Sequence, residues 1–316
     1  MTPRRSETRS AQRGPGTGAQ FLDPDVLARI DNLELLARTV VDGFLNGLHR
    51  SPYLGLSLDF AEHRSYMPGD DIRLIDWKLW ARTDRHYVKQ FEAETNADFS
   101  VLLDVSRSMR YGSGDVTKLD YARYLAACLT YFSRRQRDRV GLVTFDADVA
   151  EYIPPSSRHL DRILHTLDRA GRDPGPGAPG TLEGPLLKAG ESLRRKGILA
   201  LVSDLYEEAD RVLRVVRTLA ARGHDVLVFH VLDPAERDFP FQDASSFEDM
   251  ETGERMPVVP SEVARGYREV VAAHLRALEE GFVGDRVDYQ LLDTSRPLDH
   301  ALHRYLVVRE KKSRVR

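Results

Sequence analysis

The sequence predicts an α/β protein built on a doubly wound, mostly parallel β-sheet. From residue 98 onward, apolar runs of strand length alternate with amphipathic helical segments, and this alternation is typical of βαβ units. The runs are apolar at consecutive positions, as expected for strands that helices cover on both faces. A chain of 316 residues with 41% hydrophobic and 30% charged residues is large enough to bury such a core.

The strands and helices of this sheet domain alternate along the chain. The runs that predict strands cover residues 99–104, 140–145, 198–204, 226–232 and 287–293. Apolar residues at helical spacing predict three helix faces between them, formed by Leu119, Ala122, Ala126, Leu129 and Phe132; by Leu160, Ile163, Leu164 and Leu167; and by Val212, Val215, Val216 and Leu219. The Gly- and Pro-rich stretch at residues 171–180 predicts a loop.

The chain on either side of this domain divides into three segments. Residues 1–20 hold four arginines against one glutamate and end in a glycine-rich run, which predicts a disordered basic tail. Residues 21–97 are expected to form an N-terminal module that begins with a long helix, with Asp23 as its N-cap and Pro24 at its first position. The sheet domain then covers residues 98–308, and residues 309–316 predict a basic C-terminal tail.

Composition excludes several classes of protein. The 46 basic residues are balanced by 49 acidic ones, so no nucleic-acid partner is expected. The longest apolar run, at residues 197–202, is far shorter than the roughly 20 residues of a membrane span. No apolar segment of a secretory signal opens the chain, so we expect a cytoplasmic protein. The single cysteine, Cys128, lies in a helical stretch, which predicts a buried thiol.

Polar side chains follow two predicted strands, at the edge where parallel sheets bind their ligands. The candidate ligands are Asp104, Ser106, Ser108, Thr181 and Asp204. Two carboxylates with three hydroxyls are hard oxygen donors that suit Mg²⁺ or Mn²⁺. A cation held by so few charges should accept a further carboxylate from another protein. Thr181 also has a structural interpretation, since threonine is a common helix N-cap.

This donor set resembles the metal-ion-dependent adhesion site of von Willebrand factor type A domains, with the pattern Asp104-x-Ser106-x-Ser108 followed by Thr181 and Asp204. The resemblance implies that the two aspartates act through ordered water or one direct bond, and that the three hydroxyls are ligands. It also implies that a vacant position on the metal accepts a partner's carboxylate.

A second resemblance lies upstream, in residues 66–82, which read Tyr-Met-Pro-Gly-Asp-Asp-Ile-Arg-Leu-Ile-Asp-Trp-Lys-Leu-Trp-Ala-Arg. This segment is similar to the signature of the bacterial DUF58 family, whose members join it to a type A domain, and the resemblance extends over roughly residues 21–310. It implies that the gene lies near genes for MoxR-type AAA+ ATPases, and that the protein has a role in chaperone-like assembly of protein complexes. Some family members carry membrane helices near the N-terminus, and this chain is expected to belong to a soluble subgroup.

The signature segment has two interpretations. Its informative residues are Pro68, Gly69, Asp70, Asp71, Arg73, Asp76, Trp77, Trp80 and Arg82. A Pro-Gly turn, acid–base pairs and two indoles can form a structural clamp. Since tryptophan and arginine are over-represented at interface hot spots, the segment can equally form a docking surface.

The favoured function is a non-enzymatic adaptor that binds a divalent metal, a MoxR-type ATPase and a protein client offering a carboxylate. The first alternative is a Mg²⁺-dependent phosphoesterase of haloacid-dehalogenase type, although Ser106 stands where that chemistry needs an acidic residue. The second is a metal-free interaction protein that docks through the tryptophans. A third, a metal nuclease, would use Asp70, Asp71, Asp76 and Lys78. The chain lacks a P-loop string and a His-Glu-x-x-His motif, so neither ATP hydrolysis nor zinc hydrolysis is predicted.

Overall fold

The computed structural model describes residues 23–50, 62–67, 75, 77–90, 97–172, 181–250, 253–285 and 287–313. The predicted basic tail at residues 1–20 and residues 173–180 of the predicted loop lie outside this part of the chain. Within the described residues, a six-stranded sheet carries helices on both faces. The predicted α/β class, with a mostly parallel sheet between two layers of helices, is confirmed.

The central sheet is mostly parallel. The strands, in chain order, are β1 (Glu62–Ser65), β2 (Tyr87–Gln90), β3 (Asp98–Asp104), β4 (Arg139–Phe145), β5 (Val149–Ser156), β6 (Gly197–Ser203), β7 (Asp225–Leu232), β8 (Ser245–Glu248), β9 (Arg255–Val258) and β10 (Asp288–Asp293). The order across the central sheet is β10-β7-β6-β3-β4-β5, and only β5 runs antiparallel to its neighbour. The five predicted strands match β3, β4, β6, β7 and β10 to within one residue at each end.

The sequence analysis does not predict β5, which forms a hairpin with β4 at one edge of the sheet. It lacks the continuous apolar pattern of the other strands, because most of its residues are only partly buried. Pro154 and Pro155 donate no backbone hydrogen bond, and an edge strand tolerates them.

Helices cover both faces of the sheet. In chain order they are α1 (Pro24–Leu27), α2 (Leu33–Arg50), α3 (Trp77–Thr83), α4 (Lys118–Arg135), α5 (Leu160–Arg172), α6 (Glu183–Ser192), α7 (Ala209–Ala221), α8 (Pro234–Asp238), α9 (Pro260–Gly284) and α10 (Asp299–Ser313). Helices α2, α4, α5 and α10 share one buried apolar cluster, and α6, α7 and α9 share a second cluster on the opposite face. The predicted faces of α4 and α7 are buried, as is most of that of α5, and Cys128 is buried within α4 as predicted.

The sequence predicts one long N-terminal helix, but the structure has two separate helices, α1 and α2. Asp23 caps α1 and Pro24 lies in its first turn, as predicted, but α1 is a single turn. Helix α2 begins after Asn32, because the Asn32 side chain accepts a hydrogen bond from the Leu35 backbone N–H at 2.9 Å, which is the geometry of an N-cap. Helix α2 packs on α4, so this segment shares the core of the sheet domain.

Between β7 and β10 lie three elements that the sequence analysis does not predict. They are the short helix α8, the antiparallel hairpin of β8 and β9, and the 25-residue helix α9. Helix α9 was difficult to predict because Val263, Val270 and Val283 are exposed, and its apolar residues therefore do not mark a single buried face.

The predicted C-terminal tail begins inside a helix, which corrects the boundary at residue 309. Helix α10 continues to Ser313, and Arg309 forms an ion pair with Asp138, whose side chain is fully buried. The neighbouring Tyr305 hydroxyl lies 2.5 Å from Ser133 Oγ. These contacts fix α10 to the end of α4, and the positive charge of Arg309 balances the buried carboxylate of Asp138.

Candidate functional site

Three of the five candidate ligands lie together where β3 ends. The Ser106 backbone N–H donates to Asp104 Oδ1 at 2.9 Å, and the hydroxyl oxygens of Ser106 and Ser108 lie 3.1 Å apart. A carboxylate that accepts from the backbone two residues on turns the chain sharply. The Asp-x-Ser-x-Ser spacing thereby gathers one carboxylate and two hydroxyls, as the sequence analysis expects.

Strand β6 pairs with β3 and brings a further hydroxyl to the same place. Ser203 Oγ donates to Asp104 Oδ2 at 2.6 Å and accepts from the Leu205 backbone N–H at 3.0 Å. The sequence analysis does not select Ser203, although its position at the end of a strand parallel to β3 is the signal for it. We refer to Asp104, Ser106, Ser108, Ser203 and Asp204 as the carboxyl edge.

Asp104 is a buried carboxylate, and no basic side chain within the described residues forms an ion pair with it. Burial and the negative charge of Asp204 raise the pKa of Asp104 to about 7, although hydrogen bonds from Ser106 and Ser203 act in the opposite direction. Asp104 is therefore costly to ionise in the protein as it stands. A cation next to it would remove much of that cost.

Asp204, in contrast, has a cation of its own. The ammonium of Lys118 lies 2.8 Å from Asp204 Oδ2 and 2.5 Å from Glu236 Oε1, and Lys118 is fully buried. Burial alone would lower the Lys118 pKa, but the charges of Asp204 and Glu236 outweigh burial and raise it above its ordinary value. Lys118 is therefore a permanent positive charge at the carboxyl edge.

Lys118 is a functional-site residue that the sequence analysis missed. It is the first residue of α4, directly after the N-cap Thr117. A lysine is unfavourable in the first turn of a helix, where the helix dipole is positive. That placement is the local signal that a specific acidic partner lies nearby, but the sequence separation of 86 residues from Asp204 hides which acid it is.

Glu236 is held in place by the cap of α8. Asp233 and Glu236 form a capping box at the start of α8, so one Glu236 oxygen accepts from the Asp233 backbone while the other accepts from Lys118. Asp233 Oδ2 also accepts from the Ser113 backbone N–H at 2.8 Å. These bonds connect the loop after β3, the start of α4 and α8 around one buried ammonium.

The turn after Asp204 is a strained one. Leu205 is fully buried and has a left-handed backbone with φ 49°, which costs a leucine roughly 1–2 kcal/mol. Behind this turn, His230 of β7 aligns with Ser203 and accepts or donates a 2.9 Å hydrogen bond with the Tyr289 hydroxyl. Burial lowers the pKa of His230 to about 3, so it is neutral at physiological pH.

Thr181 lies beside the carboxyl edge without joining it. It is exposed, two residues before α6, and no hydrogen bond within the described residues connects its hydroxyl to Asp104 or Asp204. The next residue, Leu182, donates its backbone N–H to the carboxylate of Glu207, which lies in the loop after Asp204. Its proximity to the edge is therefore consistent with the predicted set, while its role as a ligand stays a prediction.

The donor set at the carboxyl edge fits a hard divalent cation. Two carboxylates and neighbouring hydroxyls match the oxygen ligands of Mg²⁺ and Mn²⁺. Within the described residues there is no cluster of three or more His, Cys, Asp or Glu side chains with metal-binding geometry. Asp104 is the residue best placed to bind a cation, since Asp204 already shares the Lys118 ammonium.

Only part of the signature segment is described. Pro68, Gly69, Asp70, Asp71, Arg73 and Asp76 lie outside the described residues, whereas Trp77, Trp80 and Arg82 lie on α3. The two indoles are exposed and meet edge to face, with ring centroids 6.1 Å apart. Trp80 also stacks on His86 at 5.9 Å. Exposed indoles are more typical of a docking surface than of a structural clamp.

Comparisons with known proteins agree with the sequence pattern. Residues 62–277 match the family model described as "Protein of unknown function DUF58". Uncharacterized proteins of Mycobacterium bovis and Mycobacterium tuberculosis are 30% identical over 237 residues, which is 73% of this chain and 73% of each relative.

Solved structures share the architecture at low identity. BatB from Bacteroides thetaiotaomicron is 18% identical, with a TM-score of 0.45, over 68% of this chain and 99% of its own. The SpRpn10 VWA domain is 11% identical, with a TM-score of 0.39, over 65% and 93%. A protein of Bacteroides fragilis is 17% identical, with a TM-score of 0.46, over 66% and 96%.

These comparisons correct one expectation. The cytoplasmic location expected from the sequence is wrong, because the Bacteroides fragilis protein is described as an aerotolerance-related membrane protein. None of the helices in the described residues has the length and apolar character that a bilayer crossing requires.

Proposed function

Because the chain belongs to the DUF58 family and has the fold of a von Willebrand factor type A domain, we propose that it is a non-enzymatic adaptor whose carboxyl edge binds Mg²⁺ or Mn²⁺ and, through the cation, a carboxylate of a protein partner. The observation that carries this proposal is Asp104, a buried carboxylate whose recorded partners are hydrogen-bond donors alone. A fold that buries such a group bears an electrostatic cost, and that cost has a use if a cation binds there.

The residues of this chain would share the binding as follows. Asp104 would hold the cation directly or through water, next to the hydroxyls of Ser106 and Ser108, and Thr181 would approach from the start of α6. Asp204 would act from further away, because Lys118 already neutralises much of its charge. A bound Mg²⁺ or Mn²⁺ would supply an open coordination position for an anionic oxygen.

Lys118 gives the proposal its electrostatic logic. Asp104 and Asp204 together carry two negative charges, and Lys118 offsets one of them at 2.8 Å from Asp204. Glu236, 2.5 Å from Lys118, adds a third negative charge, so a divalent cation would bring the whole set to zero net charge. A partner's carboxylate would then be bound by the open coordination position of the cation itself, which is the chemistry of an adaptor.

The identity of the partners is proposed on the resemblance alone. A MoxR-type AAA+ ATPase and a protein client with an exposed carboxylate would be bound together, in chaperone-like assembly of protein complexes. The exposed indoles of Trp77 and Trp80 offer a second contact surface, and they support a two-partner arrangement. If the carboxyl edge bound no cation, these indoles would be the surface to test for metal-free docking.

The proposal is tested by thermal unfolding during a Mg²⁺ and Mn²⁺ titration. The wild type should be stabilised by about 2.7 kcal/mol at 100 times the dissociation constant, and Asp104→Asn should lose that response. Asp161→Asn, at an exposed position in the first turn of α5, is the matched control and should respond like the wild type. An equal response of Asp104→Asn would contradict the proposed site.

Enzymatic activity is tested with the same proteins. The adaptor proposal expects no Mg²⁺-dependent turnover of a generic phosphate ester. Turnover that is lost in Asp104→Asn would replace the adaptor with the phosphoesterase alternative.

A further inference from the structure

We propose that an aromatic surface beside the carboxyl edge forms the second half of the partner-binding site and takes an apolar side chain that lies close to the partner's metal-binding carboxylate. This surface, the aromatic shelf, consists of Tyr206, Phe239, Phe241, Phe247 and Tyr267. The inference rests on the proposed function, because it names the chemistry of the segment that the carboxyl edge would bind.

The shelf is continuous with the carboxyl edge through the chain. Tyr206 comes two residues after Asp204, and Phe239 comes three residues after Glu236, the acid that accepts from Lys118. Because Asp204 and Glu236 contact the same Lys118 ammonium, both chain segments lead from the carboxyl edge to the shelf. A segment bound at the carboxyl edge is therefore positioned to reach the shelf.

The shelf is held together by ring packing. Phe239 lies at its centre, with ring centroids 4.7 Å from Tyr267, 5.1 Å from Phe241 and 5.7 Å from Phe247. Phe241 and Phe247 meet edge to face at 5.0 Å. Offset and edge-to-face pairs of this kind stabilise the rings beyond their burial, so these four rings hold one another in place.

Phe239 is placed there by a strained backbone. It follows α8 with φ 45° and ψ 66°, the left-handed region, which is a strained conformation for a residue with a large side chain. Of the described residues other than glycine, Leu205 and Phe239 are two of four with positive φ. One lies directly after Asp204 and the other in the shelf, so strain is concentrated around this region, as it is at functional sites.

The outer side of the shelf is exposed and apolar. Tyr206 is 75% exposed and Phe241 is 38% exposed. Beyond them, the hairpin and the start of α9 expose Met256, Val259 and Val263. Contiguous exposed apolar surface of this kind marks an interaction site more often than scattered single residues do.

The charges around the shelf favour a protein segment over an anionic membrane. The acids next to the shelf are Asp249, two residues after Phe247, and Glu236, three residues before Phe239. The nearby Arg255 and Arg237 are already bound to acids of the hairpin and of α8. Neither arginine is left to attract a sheet of lipid phosphates, so the occupant is a peptide whose acidic residue goes to the cation and whose apolar residue goes to the shelf.

The test uses a random dodecapeptide library displayed on phage and panned on the full chain in MgCl₂. Enriched peptides should carry an Asp or Glu within a few residues of Trp, Phe or Leu. A synthetic copy of the most enriched peptide should bind at least about tenfold more weakly to Tyr206→Ala and to Phe241→Ala, the size of a hot-spot loss. Val283→Ala, at an exposed valine near the C-terminal end of α9, is the matched control and should bind like the wild type.

The outcomes separate the shelf from the proposed function. Peptides that need Mg²⁺ and Asp104 but tolerate Tyr206→Ala and Phe241→Ala would overturn the shelf and leave the adaptor proposal intact. Peptides that need the shelf but ignore Mg²⁺ and Asp104→Asn would overturn the cation bridge. If panning yields no peptide that depends on Tyr206 or Phe241, the shelf proposal is wrong. Thermal melts of both variants, each of which is expected to remain folded at the temperature of the binding assay, exclude loss of folding as a cause.

Discussion

Strand β3 carries an aspartate at each end, and the protein treats the two in opposite ways. At the amino end, Asp98 pairs with Arg139 of β4, with 3.2 Å between Oδ1 and Nη1. At the carboxyl end, Asp104 accepts hydrogen bonds from Ser106 and Ser203. The first charge is balanced by an arginine of this chain, whereas the second has no ion-pair partner among the described residues. The comparison teaches that the electrostatic balance of the sheet is incomplete at the end where such sheets bind ligands.

Asp204 shows that the imbalance at Asp104 is specific. It directly follows the neighbouring strand β6 and is as deeply buried as Asp104. The Lys118 ammonium lies beside it. The fold can therefore supply a cation at this edge and supplies it to only one of the two carboxylates.

The largest expected effect comes from removing that cation. Lys118→Met leaves Asp204 and Glu236 buried without their shared partner, so the free energy of unfolding in EDTA should fall by about 3–5 kcal/mol. Lys188→Met is the matched control, because Lys188 pairs with Asp148 on the surface, where water screens the pair and its loss should have little effect on stability. Urea denaturation measures both, and similar losses in the two variants would show that Lys118 is not a buried counter-charge.

The next effect is a pH dependence that arises at Asp104. Its pKa of about 7 in the folded protein lies above its ordinary value of 3.8, so the folded state binds the proton more tightly than the unfolded state. Stability without metal should therefore fall as pH rises from about 4 to 7, by on the order of 4 kcal/mol from this group, and level off above.

Two comparisons isolate the Asp104 contribution in urea denaturation across pH 4–8. Asp104→Asn should flatten the decline measured in EDTA, and saturating Mg²⁺ should reduce it in the wild type because the cation stabilises the ionised carboxylate. A decline of the same size in Asp104→Asn would assign the pH dependence to other groups.

A smaller effect is expected at the amino end of β3. Arg139→Met removes the ion pair with Asp98 and a 3.0 Å hydrogen bond to the Pro155 carbonyl, and since the pair is partly exposed, the loss should be about 1–2 kcal/mol. The stabilisation by Mg²⁺ should stay that of the wild type. A changed Mg²⁺ response would mean that the two ends of β3 are not independent.

The smallest effect on stability is expected at Thr181. It is exposed, so Thr181→Val should change the free energy of unfolding by no more than about 0.5 kcal/mol. If its hydroxyl is a ligand, the same variant should weaken Mn²⁺ binding severalfold in calorimetric titration. Unchanged Mn²⁺ affinity would remove Thr181 from the donor set.

Much of the fold could be predicted because local pattern and buried structure coincide. Strands β3, β4, β6 and β7 are largely apolar runs, and almost all of their residues are buried. The edge strand β10 was also predicted, although most of its residues are only half-buried. Strand β5 and helix α9 were missed for the converse reason, since partial exposure weakens their patterns. The break between α1 and α2 depends on the side-chain cap of Asn32, a single contact that periodicity does not register.

The candidate site divides in the same way. Asp104, Ser106 and Ser108 are close in sequence, and the turn after β3 brings them together as their spacing predicts. Lys118 and Glu236 reach the site through contacts across 86 and 118 residues, so their roles depend on the tertiary structure. The aromatic shelf is similarly hidden, because Tyr206, Phe241 and Tyr267 come from three separate parts of the chain.

The most direct test of the central claim is Mn²⁺ binding followed by electron paramagnetic resonance, in which bound Mn²⁺ is lost from the signal of the aqueous ion. The measurement is made in the presence of acetate, which stands in for the partner's carboxylate. We expect one bound Mn²⁺ per chain in the wild type and in Asp98→Asn, and none in Asp104→Asn. Equal binding by Asp104→Asn, or no binding by the wild type, would contradict a cation site at the carboxyl end of β3.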